Sequence, residues 1–159
     1  MRAGPRAASA SPPDRAALNP SGRLPAARRL RSPAQFVAVT SDPQAIRAGR
    51  RWLSIAGRLH AAGDAVPVRF GFTASRRHAR RAVDRNAAKR VLREAARRHV
   101  DALDAAAASR SVDVVLRLKA AVPDRSQLAR DAWKAALREE AEALLELLAR
   151  RLREAGDGR

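Results

Sequence analysis

Residues 70–98 read FGFTASRRHARRAVDRNAAKRVLREAARR, and a strand, a basic turn and a helix follow one another within them. Phe70 and Phe72 alternate with small residues, which predicts a strand with both rings on one face, packed as core. Gly71 between them permits close approach of another backbone or side chain. Arg76, Arg77, Arg80 and Arg81 crowd the turn that follows. From Val83 onward neither Gly nor Pro interrupts the chain until Pro123, so a helix is predicted from there to about Ala108. Asp84 falls in its first turn, where a carboxylate offsets the positive end of the helix dipole.

At about 100° per residue, Arg85, Asn86, Lys89, Arg90, Arg93 and Arg97 share an arc roughly 140° wide, and Ala88, Val91, Leu92 and Ala95 occupy the other side. Like charges repeat at i,i+4 along this arc, which costs an isolated helix a few tenths of a kcal/mol per pair, roughly 0.2–0.5. Solvated helix faces normally mix signs. Between Arg76 and Arg98, ten Lys and Arg residues face only Asp84 and Glu94. A polyanion that relieves the repulsion is the natural partner.

The order of strand, turn and helix, with Arg85-Asn86-Ala87-Ala88-Lys89-Arg90-Val91-Leu92-Arg93-Glu94 inside it, resembles the signature of the protein subunit of bacterial ribonuclease P. Ala87 stands where that motif usually has Arg. The resemblance covers about residues 28–119 and is strongest from Arg69 to Arg97. It implies RNA contact by Arg76, Arg77, Arg80, Arg81, Arg85, Asn86, Lys89, Arg90, Arg93 and Arg97. It implies a protein that binds the catalytic RNA and the 5′ leader of precursor tRNA, and that promotes removal of the leader. Hydrolysis in that family belongs to the RNA subunit, which also holds the Mg2+ ions. The implied partners are ribonuclease P RNA and precursor tRNA, with no membrane and no obligate protein partner.

The rest of the chain supports a nucleic-acid partner independently. The 159 residues carry a formal net charge of +17, which calls for an acidic partner. Cysteine is absent, so no disulfide framework or thiolate metal site is available. Apolar runs are too short to span a bilayer, and the N-terminus does not read as a secretory signal, so a cytoplasmic protein is expected, which the resemblance implies is bacterial. Residues 1–24 are rich in Pro, Ala and Arg and are expected to be a disordered basic extension. Residues 25–155 are expected to form the domain, and 156–159 a tail.

Ser32 is a suitable N-cap with Pro33 at the first helical position, so a short helix is predicted to Thr40. Phe36 in that helix matches the family aromatic that lines the leader cleft; Thr40 stands where a second aromatic often follows. Residues 41–49 read as a loop. Residues 50–59, RRWLSIAGRL, alternate as a strand, with Leu53 and Ile55 toward the helices. Trp52 then falls on the opposite side, as a second leader-cleft candidate and base platform. Residues 60–67 read as a hairpin connection to the next strand. Residues 111–119, SVDVVLRLK, form a further strand. Pro123 and Asp124 are expected to start a last helix with Trp133, Leu137, Ala141, Leu144, Leu148 and Leu152 as its buried stripe. Eight basic and eight acidic residues from Asp124 to Arg159 balance, so this helix reads as support.

These elements predict an α+β two-layer sandwich in the order α-β-β-(β)-α-β-α, the bracketed strand being a short additional one. The resemblance specifies a ribosomal protein S5 domain 2-like fold with a left-handed crossover. Side chains for protein-borne hydrolysis are missing. His60, His78 and His99 have no metal-ligand spacing, Asp101 and Asp104 read as a solvated pair, and Asp113 as an anchor for the strand or for a nearby Arg. A general RNA-binding or ribosome-associated module is the alternative, and a protein of anionic membrane surfaces a more distant one.

Overall fold

A computed structural model describes residues 23–61 and 66–158, so most of the predicted N-terminal extension lies outside the described residues. A 3-10 turn at Ala26–Arg28 precedes α1 (Pro33–Thr40), β1 (Ile46–Gly49), β2 (Leu53–His60), β3 (Val68–Thr73), α2 (Ala82–Ala107), β4 (Ser111–Leu118) and α3 (Arg130–Asp157). The packed chain already includes Leu24, which is buried in the main core.

Helix α1 begins where the Ser-Pro pair places it. The Ser32 hydroxyl accepts from the Gln35 N–H, and the Gln35 side chain accepts from the Ser32 N–H, which closes a capping box. Helix α2 buries Ala88, Val91, Leu92 and Ala95 as its periodicity demands. It ends at Ala108, whose φ of 56° lies in the region that L side chains disfavour. Ala108→Gly is therefore expected to raise stability by about 1 kcal/mol, read as a higher urea midpoint at unchanged slope.

The strands form one sheet in the order β1-β2-β4-β3. Strand β4 runs antiparallel to β2, with Ile55 opposite Leu116, and parallel to β3, with Phe70 opposite Val114. The predicted hairpin between β2 and β3 is thus corrected: β4 lies between them. Six of its eight residues from Ser111 to Leu116 are buried in succession, Ser111 and Asp113 among them, and a strand covered on both faces belongs at the sheet centre. The true hairpin joins β1 to β2, and β1 lies inside the stretch read as a loop.

Helices α2 and α3 cover one sheet face over Leu53, Ile55, Phe70, Val114 and Leu116. Trp133, Leu137, Ala141, Leu144, Leu148 and Leu152 of α3 are all buried there, as predicted. The helix starts six residues later than expected, because Asp124 accepts the N–H groups of Gln127 and Leu128 in a separate turn. It also continues through Asp157, into the predicted tail. Helix α1 crosses the other face, where Leu30, Val39, Ala56 and Val115 form a smaller core with Phe36.

Gly71 sets how closely α1 approaches. A Cβ there would lie 2.5 Å from Phe36 Cε1 and 3.2 Å from Leu30 Cδ1. Gly71→Ala should swing the Phe36 ring off the sheet at a cost of about 1–3 kcal/mol, read as a lower urea midpoint.

Candidate nucleic-acid interface

The basic arc of α2 divides into groups with different duties. Arg85 turns back and donates from Nη1 to the carbonyls of Ala79 (3.0 Å) and Arg80 (2.8 Å). It ties the basic turn to the helix. Arg97 donates to Glu94 at 3.0 and 2.6 Å. That pairing holds the Glu94 carboxyl below its ordinary range, chiefly through the Arg97 hydrogen bond, and raises the Arg97 guanidinium in return. Asn86 is exposed beside them. Lys89, Arg90 and Arg93 make no ion pair with a carboxylate among the described residues.

Arg93 carries the clearest electrostatic mark. Its guanidinium is pushed below the usual arginine range by partial burial, then by the neighbouring charges of Arg29 and Arg90. Cations that crowd each other without a carboxylate store repulsion that a phosphate would relieve.

Arg90, Arg93 and Arg97 open onto a groove of about 710 Å³, whose other walls bring Arg23, Arg29, Lys134 and Arg138. Four of these cations escape the wheel of α2. Arg23 and Arg29 come from the lead-in to α1, and Arg29 is held by donating to the Leu24 carbonyl at 3.1 and 2.7 Å. Lys134 and Arg138 come from α3, which was read as support only; balanced overall charge concealed that these two, one turn apart, share a side. The lead-in is itself fixed by Arg28, which is buried and donates to both Asp104 oxygens at 2.7 Å. Asp104, read as solvated, is the anchor for this segment. Asp113 anchors Arg69 through bonds of 2.8 and 2.9 Å, as expected.

Lys89 faces a second opening, a cleft of about 400 Å³ between α1 and the ends of β3 and β4. Phe36, Val37, Thr40, Phe72 and Arg117 line it as well. Val37 is 59% exposed, an apolar side chain left facing water. The Thr40 hydroxyl donates to the Phe36 carbonyl at 3.0 Å, so it is engaged within its own helix. Phe36 therefore lines this cleft and also packs over Gly71.

Trp52 is a correction. It is 7% exposed and belongs to the main core, on the helix side. Arg50 N–H bonds the Leu53 carbonyl at 2.8 Å in the β1–β2 turn, so strand alternation does not extend back to position 52. Arg51 lies 4.6 Å over the indole ring. The Trp52 and Leu53 N–H groups donate to Glu140 at 2.9 and 3.0 Å, which pins this turn to α3. Trp52 is no base platform.

Arg76, Arg77, Arg80 and Arg81 are exposed in the turn before α2. Among the described residues no three His, Asp or Glu side chains gather as a metal site. No described helix is long and apolar enough to cross a membrane.

Comparison with known proteins shows the family and the fold. The family model described as Ribonuclease P matches residues 24–145. The ribonuclease P protein component of Yersinia pestis (strain Pestoides F) is 38% identical over 101 residues, 64% of this chain and 76% of its own length. That of Pectobacterium atrosepticum is 35% identical over the same length. Among solved structures, the Staphylococcus aureus RNase P protein superposes with a TM-score of 0.55 at 18% identity, covering 76% of this chain and 94% of its own. The Thermotoga maritima RNase P protein gives 0.53 at 23%, covering 77% and 96%. These structures share the mixed α+β fold. The chain belongs to the family of ribonuclease P protein components.

Proposed function

We propose that this chain is the protein subunit of a bacterial ribonuclease P ribonucleoprotein and that it binds both the catalytic RNA and the 5′ leader of precursor tRNA. The observation that carries the reading is the set of cations Lys89, Arg90 and Arg93, without a carboxylate partner among the described residues, on one open helix face beside a cleft that holds an aromatic ring. Family membership supports a part in an endoribonuclease complex that processes tRNA.

The chain's residues act by position and charge. Arg90, Arg93, Arg29 and Arg138 neutralise phosphates of the folded RNA, releasing its counterions. Lys89, at the edge of the cleft, adds a phosphate contact to the folded RNA, Arg117 holds the leader backbone, and the Phe36 ring offers a face to one base. Lowered repulsion lets two polyanions meet at the cleavage point. By the family resemblance the magnesium ion belongs to the RNA, where it would supply the hydrolytic chemistry. A cytoplasmic setting accompanies this reading.

The leader contact is tested by comparing holoenzyme affinities for precursor and mature tRNA. Phe36→Ala should reduce the preference for precursor about tenfold, one stacked base being worth about 1–3 kcal/mol. An unchanged preference would remove Phe36 from the leader site.

A further inference from the structure

A third cavity, of about 580 Å³, lies between the basic turn and the segment leading into α3. Its size falls in the range of about 300–1,000 Å³ that small-ligand sites occupy. Arg77, Arg80 and Arg81 form one wall and Arg125 and Arg130 the other. The walls are joined by the Val122 N–H, which donates to the His78 carbonyl at 2.8 Å. Val122, Pro123, Leu128 and the Trp133 indole complete an apolar side.

Donors outnumber acceptors here. Trp133 is 1% exposed, yet its Nε1–H meets no acceptor among the described residues, and the Arg130 Nε–H is likewise buried and unmet. Leaving one such donor unmet costs about 1–3 kcal/mol, and Phe at position 133 would avoid it. Helices α2 and α3 both begin at this cavity, and neither Arg81 nor Ala129 provides a side-chain cap. Two carboxylates are present, and both are engaged: Asp84 lies 4.0 Å from Arg130 Nη2, and Asp124 Oδ1 accepts the Ser126 N–H at 3.2 Å. A site of five arginines and two helix N-termini beside an apolar wall suits a ligand with a phosphate and a flat apolar ring.

We infer that this cavity is a nucleotide pocket. The phosphate sits among Arg77, Arg81 and Arg130 at the helix starts, and the base lies against the apolar side formed by Val122, Pro123 and Leu128. The nucleotide is either one extruded from a bound RNA or a free nucleoside monophosphate. Only the first source rests on the RNA-binding reading above.

The test uses the full chain and needs no ribonuclease P RNA, so its failure is separable from failure of that reading. Calorimetric titration with 5′-AMP, 5′-GMP, 5′-CMP and 5′-UMP should show saturable one-to-one binding, at least tenfold tighter than inorganic phosphate. Arg130→Gln should weaken it at least fivefold. In Trp52→Phe, which leaves Trp133 as the one indole, the same ligands should change the emission. Should that variant fail to fold, the calorimetry on the native chain decides alone. A short single-stranded RNA competing at lower concentration than the monophosphates identifies RNA as the source; competition by monophosphates alone identifies a free nucleotide. No saturable binding, equal affinity for inorganic phosphate, or indifference to Arg130→Gln would overturn the pocket.

Discussion

Replacing Lys89 and Arg93 together with alanine is expected to weaken binding to folded ribonuclease P RNA by about 100-fold, each charged contact being worth about 1.5 kcal/mol or more. The slope of log affinity against log salt should flatten by about 2, one for each lost phosphate contact. Neither side chain pairs with a carboxylate among the described residues, so the free protein has little to lose. Removing two like charges at i,i+4 relieves self-repulsion of about 0.2–0.5 kcal/mol, and the thermal midpoint should hold or rise. Weakened binding with undiminished stability distinguishes a contact residue from a folding residue. Arg93→Ala alone should show it too, because partial burial, and after it the charges of Arg29 and Arg90, already depress its guanidinium. Unchanged affinity and slope in fluorescence titrations would show that the arc is not the contact.

The largest stability effect is expected at Asp104. The Arg28 side chain is 8% exposed, and its two bonds to Asp104 are both 2.7 Å. Asp104→Ala leaves a guanidinium buried with one remaining bond, to the Val68 carbonyl at 3.3 Å. Breaking a buried pair from one side costs about 3–5 kcal/mol; with the Asp104 side chain 23% exposed, the lower end applies. That is a large share of a typical stability of about 5–15 kcal/mol. Arg28→Met with Asp104→Leu should recover most of the urea midpoint, since both charges leave together. RNA affinity should fall in the single variant as well, because Arg28 seats the lead-in that brings Arg29 to Arg93. A midpoint unmoved by Asp104→Ala would mean that the pair is not what holds this segment.

How much of this was legible in the chain depends on the range of the signal. Ser32-Pro33, the apolar stripe of α2 and the stripe of α3 are local patterns, and each appears where periodicity and capping place it. The order of the strands is not local. Gly and Asp between β2 and β3 suggested a hairpin, but β4, covered on both faces, claimed the centre of the sheet. Strand β1 has four residues and one strong β-former, Ile46, too short a pattern to separate from a loop.

The site follows the same division. A wheel finds Lys89, Arg90 and Arg93 because they share one helix. It cannot find Arg29, Lys134 or Arg138, which reach the same groove from other elements. Nor can it show that Arg85 and Arg97 on the same arc are tied to Ala79, Arg80 and Glu94. Trp52 failed as a platform because a turn, not a strand, sets its direction. Asp104 was misjudged because its partner lies 76 positions away in sequence.

The central claim is that the protein brings charge and shape while the RNA hydrolyses the phosphodiester bond. It is tested most directly by cleavage of a precursor tRNA at a magnesium concentration too low for the cognate RNA alone. Adding the native chain should restore release of the 5′ leader, and the chain without the RNA should leave the precursor intact. Failure to restore cleavage, or leader release by the protein without RNA, would contradict the account.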